Sequence, residues 1–315
     1  VALKEAIVER EHTKEDMIRA VRHMQDYILA NVREKISAGD LARAAGYSAW
    51  HAQRAFRELT GQPPFEYIRR LRLSQAALTL RDKPARILDV ALDFMFDSHE
   101  GFTRSFSKEF GVTPAKYREQ PRPVRLFLPY PLPLRQKRDE GENRMNDVSS
   151  KAIFVQVIER PARKILLKRA KTASEYFAYC GEVGCDVWGV LTSVKEALYE
   201  PVGLWLPAKM RPAGTSEYVQ GVELPLDWNG PIPEGYELAE FGPAMMMIFQ
   251  GEPYDDENFE EAVLAVMKKI DGFDPSLYGF AWASDEAPRF QLAPEGWRGY
   301  IEARPVRPNG NSRIK

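Results

Sequence analysis

The chain is predicted to be multidomain. An all-α domain with two helix-turn-helix units is followed by an α+β domain built from a duplicated β-β-α-β-β unit. Three observations carry this expectation. Amphipathic helices punctuated by small polar residues and glycine occur twice within the first 120 residues. A proline-dense stretch follows. Strand-like apolar runs joined by a Pro-Ala link then appear twice at a similar spacing. The length of 315 residues itself suits two domains.

Taken in order, Thr13 is placed to cap a helix running to about Asn31, with Ile18, Val21, Met24, Ile28 and Leu29 on its buried stripe. Residues 40–45 make a short helix that Gly46 stops. Ser48 opens the next one, which ends near Thr60-Gly61. Pro63-Pro64 leads into a longer helix over 65–80, with Ile68, Leu71 and Leu78 inward. Beyond Pro84, helices are expected over 87–94 and 98–110. The run Gly111-Val112-Thr113-Pro114 then ends the second of these and starts a short helix through Tyr117.

Residues 121–150 read as an exposed linker. Pro121, Pro123, Pro129, Pro131 and Pro133 favour extended backbone, and a charged run through Arg144 follows. The second domain spans 151–307, and 308–315 reads as a disordered tail. Strands are expected at 152–159 and 164–168 around Pro161-Ala162, a helix over 174–198, and strands at 202–206 and 218–224. The second copy has a strand at 236–241, the link Pro243-Ala244, a strand at 245–249 and a helix over 255–270. Strands near 278–283 and 299–306 complete it. Gly221-Val-Glu-Leu-Pro225 echoes the stretch from Tyr300 to Pro305.

A helix-turn-helix needs a small residue where its helices cross and a turn residue tolerant of positive φ. Ala42 and Gly46 supply these in the first unit. Ala91 and Met95 stand at the corresponding places in the second, where a non-glycine residue predicts a relaxed turn or tilted helices. The wet face of the first reading helix carries Trp50, Gln53 and Arg54. Arginine can fork onto guanine, glutamine can pair with adenine, and an indole can pack on a thymine methyl or a sugar. His99, Glu100, Thr103 and Arg104 occupy the matching positions of the second. Arg57 and Lys108, with Arg69 and Arg72, are candidates for phosphate contacts, which position the protein without specifying sequence. Two such units on a stiff spacer helix suit successive major grooves, about 34 Å apart. Charge agrees in sign: the net value is +3 over residues 1–120, +2 over 121–150 and −6 over 151–315.

Three motifs carry a family resemblance: Gly46-Tyr-Ser-x-Trp-His-x-Gln-Arg-x-Phe56, Tyr67-Ile-Arg-x-x-Arg72 and Phe110-Gly-Val-Thr-Pro-x-Lys-Tyr-Arg118. The run from Lys14 to Arg118 resembles the AraC/XylS-type DNA-binding domain, most closely its MarA/Rob branch. That resemblance implies a seven-helix domain that binds an asymmetric promoter site and usually activates transcription with RNA polymerase. It also implies that Trp50, Gln53, Arg54, His99, Thr103 and Arg104 read bases. Met95, Glu100 and Gly101 depart from the pattern and put the second half-site in doubt.

Residues 151–307 resemble the GyrI-like effector-binding domain through the paired Pro-Ala links, Ile232-Pro-x-Gly235, and Tyr300-Ile-Glu302 with Pro305-Val306. The resemblance implies a cleft between the halves for a small hydrophobic or cationic effector. An aromatic wall with one carboxylate attracts such a cation. Candidate lining residues are Tyr179, Trp188, Trp205, Tyr218, Glu223, Trp282, Tyr300 and Glu302, with Glu182 as a further carboxylate. Tyr300, Glu302 and Arg304 share a strand face, so Arg304 is equally placed to neutralise Glu302.

The chain is 44% hydrophobic and 28% charged, which is ordinary for a globular protein. No apolar run approaches the roughly 20 residues of a membrane span, and the first residues lack a signal-peptide core. Cys180 and Cys185 are the only cysteines, so no disulfide framework is expected, and a cytoplasmic location follows. The four histidines all precede residue 120, which argues against a zinc centre in the second domain. No cofactor and no enzymatic activity are expected. The alternatives are a small-molecule hydrolase tethered to a DNA-binding domain, or a second domain that serves as a protein-interaction module.

Overall fold

The computed structural model describes residues 2–129, 152–255 and 258–309, with side chains from residue 14 onward. The chain divides into two compact units, Val1–Lys137 and Arg138–Lys315. The charged run to Arg144 and the tail from residue 310 lie outside the described residues. Among these residues no helix is long and apolar enough to cross a membrane.

The first unit is helical throughout: α1 (Ala2–Ala30), α2 (Ala38–Ala45), α3 (Ala49–Thr60), α4 (Pro64–Asp82), α5 (Ile87–Asp93), α6 (His99–Phe110) and α7 (Pro114–Glu119). Thr13 does not cap α1, because the helix runs on toward the N-terminus. The preceding residues contain neither glycine nor proline, and Ala, Leu, Glu and Lys favour a helix there. The start of α2 is set by Ser37, whose hydroxyl and the Asp40 carboxylate cap each other's backbone in a capping box.

Two apolar cores share α4. Val21, Met24 and Ile28 of α1, Leu41, Ala52 and Phe56 meet Tyr67, Ile68 and Leu71. Leu73, Ala76, Ala77 and Leu80 meet Val90, Phe94, Phe102, Phe106 and Tyr117. One helix thus lines both cores. Residues 121–129 are extended, as their prolines require, but are not an exposed linker. Val124 and Leu126 are buried in the second core and Phe127 packs on the first. The Phe127 ring meets Tyr67 edge-on at 4.8 Å and lies under Arg70 at 4.5 Å. Its backbone N–H donates to the Ser74 hydroxyl at 2.7 Å.

The second unit holds β1 (Ile153–Arg160), β2 (Arg163–Arg169), α8 (Tyr176–Val183), α9 (Val187–Thr192), β3 (Val202–Trp205), β4 (Tyr218–Leu224), β5 (Glu237–Phe241), β6 (Ala244–Gly251), α10 (Phe259–Asp271), β7 (Phe280–Trp282), β8 (Arg289–Leu292) and β9 (Ile301–Pro308). The expected helix over 174–198 is two short helices. Gly184, at φ 106°, breaks it in a conformation that L side chains rarely adopt. β8 is absent from the sequence reading, since four residues are too few to display a period of two.

The strand order is β1-β6-β9-β8-β3-β4-β2-β5, with β7 paired to β9. Exchanging β1 with β5, β2 with β6, β3 with β8 and β4 with β9 leaves this order unchanged on reversal, so the unit is a duplication. Its halves also swap their first strands: β1 pairs with β6 of the second half, and β5 with β2 of the first. Register corrects the expected echo. Leu166 faces Val222 and Met247 faces Arg304. Tyr218-Val-Gln220 therefore corresponds to Tyr300-Ile-Glu302, and Glu223 corresponds to Pro305.

Candidate nucleic-acid interface and ligand cleft

The two reading helices are positioned by the same local chemistry. Gly46 sits at φ 66°, and the N–H of Tyr47 donates to the Ala42 carbonyl at 3.1 Å. Met95 sits at φ 61°, and the N–H of Phe96 donates to the Ala91 carbonyl at 2.9 Å. The turn at Met95 is therefore not relaxed. It keeps the left-handed residue at a cost of about 1–2 kcal/mol. What differs is length: Ser48 follows Gly46 by two positions, whereas Ser98 follows Met95 by three.

Ser48 accepts from the His51 N–H at 3.3 Å and Ser98 from the Gly101 N–H at 3.1 Å. Counting from these caps, Trp50 corresponds to Glu100, Gln53 to Thr103, Arg54 to Arg104, and Phe56 to the buried Phe106. Trp50 is 65% exposed. His51, Gln53, Arg54 and Arg57 are exposed beside it, and Ala52, Ala55 and Phe56 are buried on the opposite face. The Arg54 guanidinium lies over the Trp50 ring at 5.5 Å. On α6, His99, Glu100, Arg104 and Lys108 are exposed and Thr103 is half-buried. The leading edge of α6 is acidic, with Asp97 and Glu100, where that of α3 carries no acid.

Arg69 and Arg72, read as phosphate contacts, are engaged inside the unit. Arg69 forks onto Glu66 at 2.5 and 3.0 Å and reaches Glu109 at 3.4 Å. Arg72 donates to the carbonyls of Val32 at 2.8 Å and Glu34 at 2.5 Å, tying α4 to the end of α1.

In the second unit, α8 and α9 pack on β4 and α10 on β6. Tyr179 and Tyr218 belong to the cluster under α8 and α9, with Trp205 at its border. Tyr300 belongs to the cluster under α10, with Trp282 at its border. Tyr179 is buried behind Tyr218, ring centres 5.5 Å apart, and donates its hydroxyl to the Lys168 carbonyl at 2.8 Å. Trp188, on α9, is half-buried. Glu302 is fully buried. It accepts from the Tyr300 hydroxyl at 2.9 Å and from Arg304 Nε at 2.8 Å, and Arg304 also holds Asp271 at 2.8 Å. Burial, with the Glu302 charge beside it, raises the Tyr300 phenol well above the ordinary tyrosine range.

Glu223 is not brought to these residues. It points to the other face, where it is buried with Arg160 and with Arg163 at 2.7 Å. Glu182 caps the turn at 171–173, accepting from Lys171, Thr172 and Ala173, and these bonds hold its carboxyl below the usual range. Cys180 and Cys185 are free thiols. Burial first, and the neighbouring Cys185 second, push the Cys180 thiol up to about 12, so it stays protonated at neutral pH.

Comparison with known proteins bears on the first unit. Residues 41–120 match the family model described as "Helix-turn-helix domain". The chain is 46% identical over 86 residues to "Probable transcription factor PqrA" of Proteus vulgaris, covering 27% of this chain and 70% of that protein. It is 39% identical over 92 residues to "HTH-type transcriptional activator AarP" of Providencia stuartii, covering 29% and 68%. The chain belongs to the AraC-type helix-turn-helix family of transcription regulators. It is also 42% identical over 106 residues to "Right origin-binding protein" of Escherichia coli (strain K12), covering 34% of this chain. That match spans 37% of the relative's length.

Three polar residues on the helix-bearing face of the sheet near Glu302 were missed by sequence reasoning: Gln220, Arg289 and Gln291. The register sets Gln220 beside Gly203, Gln291 beside Gly203, and Gln291 beside Glu302. A signal existed for Gln220 in the repeat of Tyr218-Val-Gln220 as Tyr300-Ile-Glu302. None existed for Arg289 and Gln291, because their strand was not visible.

Proposed function

We propose that the chain is a sequence-specific DNA-binding transcription regulator that acts as an activator. In this reading α3 and α6 enter successive major grooves of a promoter site. A small hydrophobic or cationic ligand taken up by the second unit modulates the response. The observation that carries the DNA reading is the pairing of two serine-capped helices, each with an exposed basic face, on the single rigid helix α4. One chain then spans both half-sites, with the two heads tied together through α4, which lines both cores.

Trp50, Gln53 and Arg54 read the better-defined half-site, with Arg57 and Lys108 on phosphates. His99, Thr103 and Arg104 read the other half, where Glu100 lies at the position of Trp50. AarP, named as an activator, is the reason for assigning activation, with RNA polymerase as the partner. The boundaries follow: DNA reading within residues 1–120, and ligand uptake within 151–307.

Selection from a randomised duplex pool, followed by footprinting of the enriched site, tests the DNA reading. The expected result is protection of two major-groove segments about one helical turn apart. Protection that ignores sequence, or covers one segment only, refutes it. Transcription from that site with purified RNA polymerase is expected to rise on addition of the protein.

A further inference from the structure

The two-fold exchange of halves passes through the pair Gly203–Gln291 on the central strands β3 and β8. One row of the sheet there runs Gln220, Gly203, Gln291, Glu302 on the face that carries the helices. The helices pack chiefly on β2, β4 and β6, so this row lies between them.

A line of contacts crosses the same place. Arg289 lies over the Trp205 ring at 4.0 Å and reaches Glu302 at 3.6 Å. On the other side Arg304 bonds Glu302 and stands 6.0 Å from the Trp282 ring. Glu302 therefore has a guanidinium on each side and both its oxygens engaged. The Glu302 charge is thus already answered by two guanidinium groups. Arg304 donates to Glu302 and to Asp271. Among the described residues the one carboxylate paired with Arg289 is Glu302, at 3.6 Å, and the Arg289 side chain is 32% exposed. Stacking on an indole holds its planar fork ready for a carboxylate. Gln220, two strands away on β4, is 1% exposed, and neither atom of its side-chain amide has a hydrogen-bond partner among the described residues. A buried amide in that condition leaves hydrogen bonds to be completed.

We infer that the cleft takes a small aromatic carboxylate, with its charge on Arg289 and its apolar body against the half-buried indoles of Trp205 and Trp282. This rests on the reading that the second unit takes up a small ligand, and replaces the cation of that reading with an anion.

The test is calorimetric titration of the full chain with three matched probes: 2-naphthoate, 2-naphthalenemethanol and 2-naphthylmethylammonium. Naphthoate is expected to bind at least tenfold more tightly than the alcohol, and the ammonium most weakly. Arg289→Gln is expected to bring naphthoate down to the level of the alcohol with the melting temperature unchanged. Arg289→Lys, which keeps the charge but not the fork, is expected to lose affinity several-fold and carries the test if Arg289→Gln does not fold. Tighter binding of the ammonium, abolished by Glu302→Gln, overturns the anion assignment and leaves a ligand cleft standing. Heat from none of the three probes overturns both.

Discussion

Arg54→Ala separates base reading from mere surface charge. Among the described residues Arg54 has no ion pair, and its described contact is the ring of the exposed Trp50 at 5.5 Å. An exposed cation–π contact contributes about 0.5–1 kcal/mol, so removing the side chain should leave the melting temperature nearly unchanged. Removing a bidentate base contact costs about 1–3 kcal/mol, which is about 5- to 150-fold in affinity. The assay is fluorescence anisotropy on the selected duplex and a scrambled one at three salt concentrations. A base contact predicts that the ratio of specific to non-specific affinity falls while the salt slope holds. A phosphate contact predicts a constant ratio and a slope shallower by about 0.9. Undiminished affinity and an unchanged ratio would show that α3 does not read DNA through this face.

Two other outcomes follow from burial. Glu223 joins Arg160 and Arg163 where all three side chains are less than a tenth exposed. Glu223→Ala strands two buried guanidinium groups and is expected to destabilise the second unit by about 3–5 kcal/mol, read by urea denaturation. DNA binding by the first unit should persist, and an unshifted urea midpoint would contradict the buried triad. Tyr67 and Tyr117, one in each helical core, are pushed up to about 12 by burial. Their native pKa lies above the unfolded value near 10, so the stability linked to them is complete below pH 10. It is lost as pH rises from 10 toward 12, by on the order of 3 kcal/mol per tyrosine at most. Absorbance titration at 295 nm with Tyr67→Phe and Tyr117→Phe should remove these late-titrating phenols, and two ordinary phenols near pH 10 would refute the burial argument.

The helical half was legible because its signals are local. Gly46, Ser48, Ser98 and Gly111 end or start helices through bonds within a few residues, and α3 and α6 bury every third or fourth side chain. The faces carrying Trp50, Gln53, Arg54 and Arg104 follow from that period alone. The use of Arg72 was not legible, since its partners Val32 and Glu34 lie about 40 positions away, and neither was the reach of Arg69 beyond its local partner Glu66 to Glu109. Nor does any local pattern say that Phe127 closes a core around α4.

In the second unit the sequence by itself determined that a strand-helix pattern occurs twice, because a repeated apolar period needs no partner to be seen. Only the tertiary structure decided which strands pair, and with that which acids meet. A shift of one residue moves every side chain of a strand to the other face. Glu223 and Glu302 looked alike as candidate carboxylates, yet register sends Glu223 to Arg160 and Arg163 and Glu302 to the helix-bearing face. The swap of β1 and β5 between halves, and the arrival of Arg289 over Trp205, depend on contacts between residues 70 or more positions apart. Long-range register, and not local propensity, therefore set the chemistry of the cleft.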